Sequence, residues 1–507
     1  MSTAPLLPFL EAPTDRPALI GGGVVLSHRA LAAASSGPAA AIRAAAAARM
    51  RARVAIFADP TLETCVAVVA ALRAGGTVVP ISPKASEAEV AHVVGDCKPE
   101  LVACGAAAEL PGALADVPRL DIDLDAATPP NPSRDGEPAE PASSFPEPGP
   151  EEPGLILYTS GTTGPPKGAV ISRRALAADL DGLAAVWRWT VDDVVAHSLP
   201  LNHAHGLVLG TLGPLRLGGA TMLLGRFDPA GVGAALRGPA TMYFGVPTMY
   251  RRLRAAAEED AELAAALGGA RLLVSGSAAL PAAEHEAIER LTGQRVVERY
   301  GMTETLITIA AHDDGPRRPG QVGHPIPGVE IRLVDDDLVP LPEETGDPEQ
   351  TRDSDAIGEI EVRGETLFDG YLDLPDATAA SFHDGWFRTG DLASRDADGS
   401  IVILGRRAGD LIKSGGYRIG AGEIEAAILT HPDVAEAAVT GEPDPDLGER
   451  VVAWIVPAPG RSPTAADLTA QAASQLARHK QPREFRFLDQ LPRNDLGKVQ
   501  KARLSAE

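Results

Sequence analysis

Short apolar runs rich in β-branched residues alternate along the chain with longer stretches of helical periodicity. RVAIF (53–57), TVVPIS (77–82) and LVACG (101–105) are separated by helix-like segments, a layout that predicts parallel strands connected by covering helices. The alternation returns at ATMYFGVPT (240–248), ARLLVSGSAAL (270–280) and RVVERYG (295–301). The last two runs end in small or polar turns, where open α/β sheets place ligands. The Ala-rich stretch at 39–57 is interrupted by arginines and reads as a helix leading into a strand, not as a membrane span. Two Pro- and acid-rich stretches, 125–154 and 335–355, read as solvated connections, the second as a hairpin excursion. Past residue 405 the pattern becomes a compact mixed α/β segment, with VAEAAVTGEPD and RVVAWIVPA followed by a helix. A domain boundary near Gly405 to Asp410 follows, giving a large domain at 1–405 and a small one at 406–507. No internal repeat is evident.

Composition excludes several classes of function. At 507 residues the chain is too long for one ordinary core, and 44% hydrophobic residues is a globular value. A formal charge of -23 argues against nucleic-acid or anionic-membrane partners, so an anionic substrate must be drawn by a local basic site. Cys65, Cys97 and Cys104 have no CxxC or metal-ligand spacing and read as reduced core residues of a cytoplasmic protein. The segment MSTAPLLPFLEAPTDRP has neither a basic n-region nor a long apolar run, and is not expected to be a signal peptide.

The segment LILYTSGTTGPPKGAVISRRAL (155–176) carries phosphate-binding chemistry. It is not a Walker A loop, because Lys167 is followed by Gly168 and Ala169 and the hydroxyls of Thr159, Ser160, Thr162 and Thr163 come first. Gly161, Gly164 and Gly168 still allow close backbone approach, and the lysine supplies a cation at the end. The apolar flanks predict that the loop joins two strands.

Read with LPLNHAHG (199–206), ERYGMTET (298–305), GWFRTGD (385–391), GRRAGDLIKSGGYRIGAGEIE (405–425) and NDLGKVQK (494–501), this loop completes an ordered motif set. The set resembles the acyl-adenylate-forming superfamily over almost the whole chain, in its acyl-CoA synthetase branch. The resemblance implies an α/β protein. Its large N-terminal domain has parallel-rich sheets covered by helices and a barrel-like subdomain, and its small mobile α+β C-terminal domain closes over the site. It implies ATP, Mg2+ and coenzyme A, with a carboxylate first joined to AMP and then passed to a thiol. Thr159, Ser160, Gly161, Thr162, Thr163, Gly164 and Lys167 then grip the β- and γ-phosphates. Thr303 meets the α-phosphate and Glu304 the magnesium. Gly276, Ser277, Ala278 and Tyr300 belong to the adenine pocket, with Asp391 and Arg406 at the ribose and Glu298 also at the nucleotide. Lys498 bridges substrate carboxylate and nucleotide from the far side of the domain boundary. Gly415, Gly416 and Tyr417 line the face used for thioester formation. The spacing within GRRAGDLIK leaves the hinge open among Ala408, Gly409 and Asp410.

The acyl pocket is expected between His203 to Gly206, Gly245, Val246, Gly276, Ser277, Arg299, Leu306 and Ile307. Arg299 is the odd member, because an unpaired guanidinium buried there is costly. Its planar fork suits a carboxylate, and His205 adds a second donor. The expected substrate is therefore a small-molecule dicarboxylate, unless Arg299 pairs with Glu298, Glu304 or another acid. HAHG and ERYGMTET make the chain most like the malonyl-CoA synthetases, implying malonate and methylmalonate, with oxalate, succinate or a short-chain acid as alternatives. An amino-acid adenylation module needs an acidic pocket residue, absent from LNHAHG. A luciferase-like oxygenase fits the low aromatic content and Arg299 less well, and a non-catalytic scaffold predicts gaps at positions that here hold competent residues. Arg174, Arg252 and Arg254 are candidate contacts for the phosphates of coenzyme A.

Overall fold

The computed structural model describes residues 5–46, 52–124, 148–159, 166–315, 317–342, 357–407, 411–414, 417–493 and 499–504. Among them the strands form three sheets of seven, fourteen and five strands.

The seven-stranded sheet has the parallel strands Thr77–Ile81, Arg53–Phe57, Leu101–Gly105 and Arg119–Ile122. Pro153–Thr159 runs parallel to Thr77–Ile81 and turns back antiparallel as Lys167–Ser172. The phosphate-type loop thus joins two strands, as its flanks predict. Thr77–Ile81 is buried at every position, as expected for a strand covered on both faces. The helix Leu62–Arg73 starts where the Thr61 hydroxyl accepts the Thr64 N–H, and all of its residues but Glu63 are buried. A helix apolar nearly all round must be enclosed, and this one is. It carries Cys65, whose thiol burial pushes up to about 12, as it does that of Cys97. All three cysteines are buried and free.

The fourteen-stranded sheet changes character halfway. Pro17–Gly21, Ala220–Leu223, Val194–His197, Met242–Gly245, Leu272–Ser275 and Val297–Met302 pair in parallel. Val297–Met302 then pairs antiparallel with Leu306–Ala310, and the sheet continues antiparallel through Gln321–Pro325, Ile401–Arg406, Trp386–Arg395, Gly358–Gly364 and Val329–Val334. The switch at Val297–Met302 is made by a tight reversal. A Cβ on Gly301 would lie 1.9 Å from the Leu306 carbonyl oxygen, and Leu306 itself has a left-handed φ of 54°. Left-handed backbone in a buried leucine is strained, and such strain persists where packing over-determines it.

The third sheet contains Leu411–Ser414, Tyr417–Gly420, Val434–Asp444, Gly448–Pro457 and Glu484–Phe487. Sheet membership therefore changes between Arg406 and Leu411, where the sequence pattern shifts. The expected hairpin between Val329–Val334 and Gly358–Gly364 is present as an antiparallel pair, while 343–356 lies outside the described residues. The expected connection at 125–154 is shorter at its end than read, because the strand starts at Pro153; 125–147 lies outside the described residues. Among the described residues no helix is long and apolar enough to cross a membrane.

The reversal gives a test of the fold. Gly301→Ala places a methyl against backbone atoms that cannot swing away, and is predicted to cost about 3 kcal/mol. Gly269→Ala, at a position with nothing within 4 Å, is predicted to be neutral or slightly stabilising in the same denaturant titration.

Candidate active site

Three groups of side chains gather at the carboxyl ends of the parallel strands and around the reversal. The first is cationic and acidic together. Thr159 and Lys167 face each other at the base of the phosphate-type hairpin. The Lys167 ammonium sits 4.6 Å from the centre of the Tyr371 ring, a cation–π contact. The Tyr371 hydroxyl donates to Glu304 Oε1 at 2.8 Å. Tyr371 is brought there by Gly370–Tyr371, which pairs with Lys167–Ser172. Thr303, half-buried, lies in the turn just before Glu304, whose side chain is 6% exposed. Among the described residues no three His, Cys, Asp or Glu side chains cluster as a metal cage. A single carboxylate beside a phosphate loop instead fits Mg2+, which is commonly held by one or two carboxylates and by phosphate oxygens of its nucleotide. Ser160, Gly161, Thr162, Thr163 and Gly164 lie outside the described residues.

The second group follows Leu272–Ser275. Gly276 is buried while Ser277 and Ala278 are exposed, and Ser277 has a left-handed φ of 71°. Across from them the Tyr300 hydroxyl donates to Asp391 Oδ2 at 2.6 Å, and Arg406 Nε lies 3.1 Å from Asp391 Oδ1. Asp391 and Arg406 are register partners on adjacent strands, so the sheet itself fixes this pair, and the bond fixes the tyrosine ring. Glu298, expected at the nucleotide, needs correction. Its Oε2 accepts the Leu280 N–H at 2.9 Å, while Oε1 is 2.9 Å from His285 Nε2 and accepts the Gly320 N–H. Oε2 thus holds the turn after Ser277 while Oε1 ties the helix Ala282–Thr292 to the loop at Gly320, so the residue braces the pocket.

The third group is buried and under-satisfied. Successive residues of a strand point to opposite faces, so Arg299 turns away from Glu298. Among the described residues it makes no ion pair, and its Nε has no hydrogen-bond partner. It pairs with neither Glu298 nor Glu304, since the first is held by Leu280, His285 and Gly320 and the second accepts Tyr371; the other acid near it is Asp179, with which it forms no ion pair among the described residues. The guanidinium lies flat against Gly276, where a Cβ would come 2.3 Å from Arg299 Cζ. Burial pulls Arg299 down to about 10, opposed by Asp179, so it stays cationic at neutral pH. His205 opens a π-helical segment, His205–Leu212, a geometry frequent at functional sites. Neither of its ring nitrogens has a partner among the described residues. Burial, then Arg299, holds it well below the usual histidine range, and it is neutral. His197 Nε2, Ser275 Oγ and Asp179 Oδ2 are also buried without partners among the described residues. Orphans this concentrated mark a pocket built for a polar ligand. His203, half-buried, places Nε2 3.1 Å from Asn202 Nδ2.

Lys498, Gly415, Gly416 and the hinge candidates Ala408, Gly409 and Asp410 lie outside the described residues, and Tyr417 begins the strand Tyr417–Gly420. The small sheet meets the helix Pro247–Ala257 where Arg251 Nη1 donates to the Ala435 carbonyl at 3.2 Å. Two of the three arginines considered for coenzyme A phosphates have carboxylate partners. Arg174 pairs with Glu151 at 3.0 Å, and Arg254 pairs with Glu284 at 2.9 Å and with Glu258 at 2.8 Å. Arg252 instead stacks its guanidinium 4.7 Å from the Phe227 ring. Sequence reading missed Tyr371 and Asp179. Asp179 had a legible mark, being an acid between Leu176, Leu180 and Leu183 on one helical face; Tyr371 had none.

The Glu298 correction is testable without any ligand. Glu298→Ala strips partners from Leu280 N, Gly320 N and His285, and is predicted to lower unfolding stability by about 3 kcal/mol; an unchanged unfolding curve would return Glu298 to the ligand.

Comparisons with known proteins cover both parts of the chain. Residues 9–372 match the model of the AMP-binding enzymes, and 423–498 that of the AMP-binding enzyme C-terminal domain. A mouse protein described as mitochondrial malonate–CoA ligase ACSF3 is 36% identical over 476 residues, covering 89% of this chain and 81% of the relative. A malonyl-CoA ligase solved as a ternary product complex with methylmalonyl-CoA and AMP is 53% identical. It has a TM-score of 0.70, covering 95% of this chain and 98% of that one. ATP-bound MatB from Rhodopseudomonas palustris is 35% identical with a TM-score of 0.86, covering 100% and 99%.

Proposed function

The chain belongs to the AMP-binding enzyme family, and from that premise we propose that it activates malonate, and methylmalonate with it, and transfers the acyl group to coenzyme A. The products are malonyl-CoA, AMP and pyrophosphate. The observation that carries the substrate is Arg299, a buried cation that forms no ion pair among the described residues, its Asp179 neighbour included, and that lies next to neutral His205. Malonate supplies the missing partner with one carboxylate and reacts through the other.

A carboxylate is a poor acyl donor because its oxygen leaves badly. Attack of one carboxylate oxygen on the α-phosphorus of ATP breaks the bond to pyrophosphate and forms a mixed anhydride. The thiol sulfur of coenzyme A then attacks the acyl carbon, the bond to AMP breaks, and the thiol proton is lost to solvent or a base. Arg299 and His205 hold the unreactive carboxylate, so the other is aimed at the nucleotide. Tyr300, fixed in its plane by Asp391, faces the adenine, while Asp391 and Arg406 flank the ribose. Thr303 meets the α-phosphate, and Lys167 and the loop from Thr159 hold the outer phosphates. Glu304 would hold Mg2+ together with phosphate oxygens, and the ion would supply charge neutralisation there. Lys498 delivers a second cation from the small domain. Residues 1–405 form the domain with the nucleotide and acyl sites, and 406–507 the mobile domain, whose departure opens the path for the thiol. The reading includes a cytoplasmic location, which three free buried thiols suit; fluorescence imaging of the tagged full chain decides between this and the mitochondrial location given for the mouse relative.

The test is AMP release with ATP, magnesium and coenzyme A across acetate, butyrate, oxalate, malonate, methylmalonate and succinate. Malonate and methylmalonate are predicted to dominate in the wild type. Arg299→Ala is predicted to lose at least ~100-fold in kcat/KM for them, the scale of about 3 kcal/mol for removing one partner of a buried pair. Gly276→Ala, whose methyl displaces the Arg299 guanidinium, is predicted to lose malonate in the same direction. Equal turnover of butyrate and malonate by both wild type and Arg299→Ala contradicts the dicarboxylate reading and leaves a ligase of another small acid.

A further inference from the structure

The helix Arg173–Trp187 packs against Leu306–Ala310 of the large sheet and against Pro153–Thr159 and Lys167–Ser172 of the seven-stranded one, and Asp179 sits midway along it with no exposed surface. Oδ1 accepts the Ile307 N–H at 2.8 Å, just after the strained Leu306. Oδ2 is buried and has no hydrogen-bond partner among the described residues. Its charged neighbour is Arg299, which faces it from Val297–Met302 but forms no ion pair with it; the flanking strand contributes only the Ile307 amide. One cation therefore faces a buried aspartate and, on the reading above, the second carboxylate of the substrate. Two carboxylates sharing one cation in a site closed to water do not both ionise.

We propose that Asp179 is the proton-bearing partner of the acyl site: its carboxyl must be protonated when a dicarboxylate binds beside Arg299, so that binding takes up one proton there whenever Asp179 starts out ionised. The proton comes from solvent and adds to Oδ2, the oxygen that the backbone leaves unclaimed, which then donates a hydrogen bond towards the bound carboxylate. The nearby histidines do not replace it. His205 and His197 are both kept neutral by burial, the latter pulled down to about 4. Asp179 is instead pushed up to about 8 by burial, against the Ile307 amide and Arg299. Below that value the proton is already in place; above it, binding must recruit one. Asp179 is thus a positioning and specificity residue acting through the charge balance of the pocket, and this role rests on the dicarboxylate reading.

Calorimetric titration of the full chain with malonate, in two buffers of different ionisation enthalpy, reads proton uptake directly. At about pH 9 the wild type is expected to take up close to one proton per malonate, and at about pH 6.5 almost none. The KM for malonate is expected to rise about tenfold per pH unit above 8. Asp179→Asn, which keeps an oxygen for the Ile307 N–H, is expected to show no uptake at either pH and to flatten that rise. No uptake by the wild type at about pH 9, with malonate bound and turned over, overturns the role of Asp179 alone; so does wild-type uptake in Asp179→Asn. Neither binding heat nor AMP release with malonate overturns the dicarboxylate reading and this inference together. The wild-type measurement stands by itself if the variant fails to fold.

Discussion

A buried guanidinium without a partner is the constraint around which this site is arranged. Arg299 lies where a parallel sheet turns antiparallel, 8% exposed, with no ion pair among the described residues. Leaving such a charge unpaired costs stability, and nothing in packing alone calls for it. Gly276 yields its side-chain volume to the guanidinium, Leu306 accepts a left-handed backbone, and the π-helical turn presents a neutral His205. These departures from ordinary folding rules fall on one pocket. Local inconsistency concentrated in this way is what a functional site leaves behind in an otherwise consistent fold.

The remaining machinery follows from strand order. The parallel strands Val194–His197, Met242–Gly245, Leu272–Ser275 and Val297–Met302 bring their carboxyl ends side by side, and the antiparallel continuation carries Asp391 and Arg406 as cross-strand neighbours to the same place. Tyr300 and Arg299, adjacent in sequence, point to opposite faces of their strand. One is tied to the Asp391–Arg406 pair and the other lies against Gly276. On the proposed reading a single strand separates nucleotide recognition from acid recognition, with Gly276 packed against the Arg299 guanidinium.

Much of this was legible in the chain. The alternation of β-rich and helical runs predicted the parallel strands, and the apolar flanks of the Thr159–Lys167 loop predicted that it joins two of them. Arg299 stood out because it ends a β-run beside residues read as nucleotide-binding, where burial is expected and an unpaired guanidinium is costly. The bracing role of Glu298 was not legible, because its partners Leu280, Gly320 and His285 converge only in three dimensions. The pairing of Arg174 with Glu151 and of Arg254 with Glu284 was invisible for the same reason, since these partners come close only after folding. Tyr371 was not legible either: its link between Lys167 and Glu304 arises from one short strand pairing beside the phosphate hairpin.

The central claim is that Arg299 is kept for a ligand at a cost to the unliganded fold. Thermal unfolding of Arg299→Met with and without malonate addresses that claim most directly. A linear apolar side chain of similar length removes the buried charge. The account predicts an unfolding midpoint at or above that of the wild type without malonate, and loss of the upward shift that malonate gives the wild type. A variant that is strongly destabilised, yet is still stabilised by malonate as the wild type is, would make Arg299 a structural residue and contradict the account.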